Sequence, residues 1–277
     1  MDRMRKIFLI IACLNLLQAP LSAQEQTYSF GIVPQQAASQ LAKVWIPILQ
    51  YLEQQSGVRL QFQTAKDIPT FEERVFAQEY DFAYMNPYHY VVFSQKPGYR
   101  AIAKERNKSI MGLIVVRKDS STTKLAQLNG ARIAFPSPGA FAASVLPRAN
   151  LQQEGIQFTP QYVSSHDSVY IAVTKGLFPA GGGIVRTLRN MPQEIQDQLQ
   201  VLWETRKFTP HAIAARPGLA PEVAEQVQQA MLAMSSAPEG AELLQAIGFR
   251  QGLEAAEDAQ WDDVRALNIT LLDKYLK

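Results

Sequence analysis

Between Tyr28 and Tyr84 the chain switches repeatedly between short extended patterns and longer helical ones, an order that few folds accommodate. Residues 28–33 place apolar side chains at alternate positions and stop at Pro34, which reads as a short strand. Leu41, Val44, Trp45, Ile48, Leu49 and Leu52 then recur at helical spacing, and Gly57 ends the run. Pro47 inside it removes a backbone donor and is expected to kink or restart the helix. Residues 58–64 alternate again, Phe71, Val75 and Phe76 mark a further helix, and residues 80–84 a third strand. Strand, helix, strand, helix, strand is the pattern of a parallel α/β unit. Ligands of such sheets sit beyond the carboxyl ends of the strands, which makes residues 34–39 and 85–89 the candidate ligand loops.

A second series follows. Residues 110–117 form an apolar run long enough for a buried strand, 121–129 read as a short helix closed by Gly130, and 131–135 as a strand. That strand enters Phe-Pro-Ser-Pro-Gly-Ala-Phe-Ala-Ala-Ser-Val-Leu-Pro at 135–147, a tight Pro/Gly turn and then a small-residue segment able to open a helix. Such a turn presents free backbone N–H groups to a ligand, although an ordinary strand-to-helix turn has the same local sequence. The helix should reach about Glu154 and stop at Gly155. Residues 158–163 read as a strand, and Ser165-His166-Asp167-Ser168 as the cap of a helix over 169–175. Residues 177–183, with Pro179 and three glycines, read as a loop. Residues 201–203 and 211–215 read as short strands, and the chain is helical from Pro221 onward. Two such series imply two lobes. The expected division is 24–114 with 212–277 for the first lobe and 115–211 for the second, with a ligand between them.

The N-terminus bears on where the protein works. Arg3, Arg5 and Lys6 precede a mostly apolar stretch over 7–17, and Leu21-Ser22-Ala23 offers a small residue before polar Gln24-Glu25-Gln26. That is the layout of a secretory signal peptide over residues 1–23, too short to span a bilayer, which takes about 20 apolar residues. Ile10-Ile11-Ala12-Cys13 loosely matches a lipoprotein box, but apolar residues follow Cys13, and cleavage after Ala23 is favoured over lipidation. Cleavage there removes three of the 27 basic residues and one of the 25 acidic ones, leaving the two equal. A neutral chain argues against nucleic acid as a partner. The mature chain contains no cysteine, which excludes disulfides, thiolate metal sites and a cysteine nucleophile. An exported protein without disulfides fits a bacterial periplasm.

Several short stretches, in order, carry a family resemblance. They are Gly31-Ile32-Val33-Pro34; Trp45, Pro47 and Tyr51-Leu52 before Gly57; Asp81-Phe82-Ala83-Tyr84; Val115-Val116-Arg117-Lys118-Asp119-Ser120; Leu128-Asn129-Gly130; residues 135–147; and His166-Asp167 before Gly176. The chain resembles the substrate-binding proteins of bacterial phosphonate, phosphite and phosphate ABC transporters, over nearly its whole mature length. The resemblance implies an α/β, two-lobed type 2 periplasmic binding fold, each lobe a small mixed sheet flanked by helices. It also implies a small-molecule ligand and a membrane permease as partner. In the family an oxyanion is held by a Ser-Thr-Ser type run at a helix start; here that run falls on Ala140, Phe141 and Ala142. A Tyr-x-Ser segment falls on Ile110-Met111-Gly112, and of the polar ligand positions His166 is kept. Hydrogen bonds to a charged group contribute about 1.5–3 kcal/mol each, so the missing hydroxyls point away from tight phosphonate binding.

The candidate ligand residues are therefore Tyr84, Asn86, Ser137, Ala140, Phe141, Ala142 and His166. Tyr84 and Asn86 lie nearest a strand end, where an aromatic face and an amide suit a small amphipathic or organic ligand, and the ligand overall is expected to be an oxyanion or small organic acid. His166 could contact ligand or belong to a capping cluster, and Ser137 could be a simple turn residue. Gln35, Gln36 and Ser39 read rather as helix-capping residues, and Arg186 is a candidate cation that would replace the lost hydroxyls. The altered ligand positions leave room for a sensory role, reporting to a membrane kinase or cyclase instead of a permease. An enzyme on the same fold would use His166 as general base, but the sequence supplies neither nucleophile nor second catalytic group. No cofactor or metal site is indicated.

Overall fold

The computed structural model describes residues 26–276. The expected signal peptide and Cys13 lie outside the described residues. In chain order the strands are β1 (Thr27–Ile32), β2 (Arg59–Thr64), β3 (Phe82–Met85), β4 (Arg100–Glu105), β5 (Gly112–Arg117), β6 (Ala131–Phe135), β7 (Phe158–Tyr162), β8 (Ala180–Ile184), β9 (Leu199–Glu204), β10 (Ala212–Ala215) and β11 (Leu253–Ala255). The α-helices are α1 (Ala38–Ser56), α2 (Ile68–Phe76), α3 (Pro87–Phe93), α4 (Leu146–Gln153), α5 (His166–Thr174), α6 (Val185–Arg189), α7 (Gln193–Gln196), α8 (Pro221–Ala233), α9 (Pro238–Ala246) and α10 (Asp262–Arg265).

Two sheets result. One has the order β11-β4-β10-β3-β1-β2, the other β7-β6-β8-β5-β9. In the first, β1 pairs in parallel with β2 and β3, as the strand–helix–strand order of the opening residues predicts. β10 returns from the second lobe and inserts antiparallel between β3 and β4. The two crossing segments hold each other through Ile110 and Phe208, which exchange backbone hydrogen bonds of 2.8 and 3.0 Å. The core of the first lobe is continuous with Ala140–Ala143, Leu146 and Ile184 of the second, so the lobes are packed shut on one another. The second sheet has its own apolar clusters, one around Ile114, Val116, Ile133 and Phe135, the other around Leu113, Val115, Val169 and Tyr170.

Three sequence expectations are corrected. Pro47 neither kinks nor restarts the helix; α1 runs through it unbroken. The acceptor it orphans is the carbonyl of Lys43, an exposed residue, so the lost bond lies on the solvent side of the helix. Burial of Leu41, Trp45, Ile48, Leu49 and Leu52 offsets the cost of about 3 kcal/mol for an interior proline. Residues 121–129 give only a 3₁₀ turn over Leu125–Leu128. The glycine-rich stretch is no loop but β8, a fully buried central strand paired antiparallel to β5 and parallel to β6. A Cβ on Gly182 would lie 2.0 Å from the Ala143 carbonyl, and one on Gly183 2.2 Å from the Tyr170 hydroxyl. The glycines are there because helices press directly on the strand, which local propensity cannot show. β4 and β11 also have no counterpart in the sequence reading.

Candidate functional site

The site is built on residues 141–153. Phe141–Val145 form a π-helical turn that passes into α4, with Pro147 in the first turn. Leaving β6 through Pro136 and Pro138 fixes the direction of the turn, and no preceding helical turn supplies acceptors for the first amides. Two close approaches seat it. A Cβ on Gly112 would lie 1.8 Å from the Ala142 carbonyl, and one on Gly139 2.1 Å from Glu72 Oε1. The connecting strand and the first lobe therefore both rest against this turn. π-Helical turns recur at functional sites.

From the first lobe, Asn86 caps α3: its Oδ1 accepts from the His89 amide at 2.8 Å, and its Nδ2 donates to the Gly139 carbonyl at 3.1 Å. Behind it, His89 Nε2 stands 3.0 Å from Glu72 Oε1, both side chains almost fully buried. The His166 amide donates to the Gln35 carbonyl at 3.0 Å, and the Ala37 amide to Asp167 Oδ2 at 3.3 Å. The side chain of Gln35 lies 3.0 Å from His211 Nε2. With Gln35 donating, the His211 proton sits on Nδ1, a buried atom with no partner among the described residues. These contacts bring residues 35, 86, 139, 166 and 211, from both lobes, around one point.

The electrostatics at that point are neutral. Burial pushes His166 down to about 3, and burial with the nearby Arg186 holds His211 well below its ordinary value. His166 is hydrogen-bonded through Nδ1 to Thr187 Oγ1 at 3.1 Å, and its other ring nitrogen has no partner among the described residues. The remaining void is about 10 Å³, room for roughly one water. Phe141, Ile68, Ile110 and Ile184 form its apolar wall, and Asn86, His166, His211 and Gln35 its polar one. Phe141 itself meets Phe208 edge to face, centroids 5.4 Å apart.

Of the sequence candidates, Asn86, Ala140, Phe141, Ala142 and His166 all line this void. Tyr84 lies beside it, in a furrow of about 230 Å³ between α1 and α6. Its ring stacks on His211 at 5.0 Å, and its hydroxyl accepts from Arg186 Nη1 at 2.6 Å. Ser137 is buried between its two prolines, its hydroxyl without a partner among the described residues. Arg186 does not face the void. Its Nη2 stands 3.0 Å from Glu105 Oε2, forming an ion pair between the lobes, and its guanidinium lies 4.9 Å above the Phe249 ring. Gln35 and Ser39 do not cap α1: the N-cap is Ala37, with no side-chain bond, and Ser39 is exposed within the helix. Sequence reasoning put Gln35 in a candidate ligand loop but favoured capping for it, and missed His211 as a cleft residue, the Glu72–His89 pair and Glu105. Asn86 and His89, three apart at a Pro-marked helix start, were the one local signal; the rest meet only through the sheet order.

The family model described as "ABC transporter, phosphonate, periplasmic substrate-binding protein" matches residues 30–261. The phosphate-import protein PhnD of Mycolicibacterium smegmatis is 24% identical over 268 residues, covering 80% of each chain. The chain superimposes on the binding protein component of an ABC phosphonate transporter from Pseudomonas aeruginosa with a TM-score of 0.82, at 16% identity, over 90% of this chain and 87% of that one. PhnD1 from Prochlorococcus marinus, solved with methylphosphonate, gives 0.80 at 18% identity, over 88% and 99%. At these identities the structural likeness speaks for the two-lobed fold.

Proposed function

The chain belongs to the periplasmic substrate-binding proteins of phosphonate ABC transporters, and from that premise we propose that its ligand is a small anion with an apolar substituent, held at the start of residues 141–153. The protein binds a small ligand and works with the membrane components of an ABC transporter. The finer reading rests on one observation: no Lys, Arg, Asp or Glu lines the void among the described residues, and Phe141, at a position where the resemblance implies a hydroxyl, forms part of its wall. Backbone amides at a helix start attract an anionic head without a cation. The apolar wall around Phe141 accepts a substituent and disfavours a fully hydrated ion. Methylphosphonate, present in the Prochlorococcus structure, has that character. In this reading Asn86, Ala140, Phe141, Ala142 and His166 touch the ligand, with Tyr84 and Ser137 bordering it. The lobes are 24–114 with 212–277 and 115–211. They must separate to admit anything larger than water, and residues 1–23 direct export and are removed in the course of it.

A thermal-shift series on the mature chain tests this with methylphosphonate, larger alkylphosphonates, inorganic phosphate and small carboxylates. An alkyl-bearing anion should stabilise most, by about 2.7 kcal/mol at a hundredfold excess over its Kd. Preference for inorganic phosphate, or silence with all of them in a folded protein, would contradict the proposal. Phe141→Ser should move the preference toward phosphate; unchanged selectivity would place Phe141 outside the ligand's reach.

A further inference from the structure

Beside the connecting strands lies a second cavity, of about 390 Å³, walled off from the cleft void by Ile110 and Ile184, which line both. Its wall comes from three places: Lys108 and Ser109 of the connecting segment, Arg186, Arg189 and Asn190 of α6 and its C-cap, and Gln245 in the last turn of α9 with Arg250 beyond it. Four of these residues are cationic and no acidic residue lines the cavity. Arg186 is committed to Glu105 and Tyr84, and Lys108 Nζ stands 4.0 Å from the other Glu105 oxygen. The side chains of Arg189 and Arg250, one from each lobe, have no hydrogen-bond or ion-pair partner among the described residues, and both are exposed.

Glu105 therefore balances only Arg186 and Lys108, and the two remaining guanidiniums, from opposite lobes, are brought unpaired to one cavity when the lobes shut. Like charges gathered around a concave surface raise a positive potential of several kT and oppose closure. The guanidinium fork matches adjacent anionic oxygens, and the volume lies in the range of small-ligand pockets. We propose that this cavity is a second ligand site, for a compact polyanion of the diphosphate or phosphate-ester class, which bridges Arg189 and Arg250 and so favours the shut form. Asn190, Gln245 and Ser109 supply the neutral donors around it. Because it favours the same form as the cleft ligand, a polyanion here raises the affinity of the cleft, and the effect is reciprocal.

The proposal does not depend on which solute the cleft takes. Inorganic pyrophosphate titrated into the mature chain by calorimetry, at low and at physiological salt, is the direct test. Binding should weaken as salt rises, and Arg189→Ser with Arg250→Ser should weaken it at least a hundredfold. Both side chains are exposed, so circular dichroism should stay as in the unaltered chain, and without pyrophosphate the cleft ligand should still give a thermal shift no smaller than before, because the repulsion that opposes closure is gone; that separates this site from the cleft. Absence of pyrophosphate binding overturns the proposal. So does binding that survives in the double variant, since the anion would then sit at the start of residues 141–153.

Discussion

The contact between Arg186 and Glu105 joins the lobes, and removing it should release them. Glu105 is 4% exposed and its partner 19%, with 3.0 Å between them. Burial raises the carboxyl's pKa and Arg186 and Lys108 oppose the rise, so the charged form depends on those cations. Arg186→Met keeps most of the apolar contact with Phe249 but leaves Glu105 buried without its main partner. Stripping one member from a buried pair costs about 3–5 kcal/mol. Lys108, 4.0 Å away, compensates in part and places the effect near about 3 kcal/mol. Opening returns Glu105 to water, so the cost falls on closure and not on folding. At about 1.4 kcal/mol per tenfold, closure should become about a hundredfold less favourable, and the apparent Kd of the cleft ligand should weaken by a similar factor. Calorimetry with the solute giving the largest thermal shift reads the affinity. Small-angle scattering reads a larger radius of gyration, and the melting temperature without ligand should change little. Adding Glu105→Gln to Arg186→Met removes the stranded charge and should recover most of the affinity. Unchanged affinity and scattering in Arg186→Met, or no recovery in the double variant, would refute the reasoning.

Other perturbations follow from the same geometry. His166 and His211 are held neutral by burial, so the unfolded or opened chain takes up protons that the shut form refuses. Folded values below the ordinary 6.5 mean that stability is complete above 6.5 and falls as pH drops toward 3. The loss is up to about 1.4 kcal/mol per pH unit for each histidine. Denaturant melts at pH 7, 5.5 and 4.5 measure it, and His166→Gln should flatten the slope; an equal slope in the variant would contradict the assignment. Gly182→Ala places a methyl against the Ala143 carbonyl and the Phe135 ring, an overpacking expected to cost about 1–3 kcal/mol or more, read as a lower melting temperature. A variant as stable as the parent would mean that β8 and the helix start are not in contact.

How much was legible depends on the range over which each cause acts. The parallel strands β1 to β3 follow from local periodicity, because alternation and helical spacing are imposed on each segment by the face it buries. The return of the chain through 211–215 was also readable, as a short apolar strand after the second series. β8 was not: three successive glycines carry no β signal, and their reason is the helices packed on either side of the strand. Pro47 misled for the converse reason, since an exposed carbonyl and a long apolar face outweigh the local penalty.

At the site the division is similar. Sequence alone determined the chain's class and that Ala140, Phe141 and Ala142 follow the turn after β6, where the family resemblance implies hydroxyls, because residue types and their order are local facts. Tertiary structure alone decided that Gln35 and His211 close the same void, that Arg186 faces Glu105 and not that void, and that Arg189 and Arg250 line one cavity. Those pairings join residues from different lobes, far apart in the chain, and only the order of strands in two sheets brings them within reach.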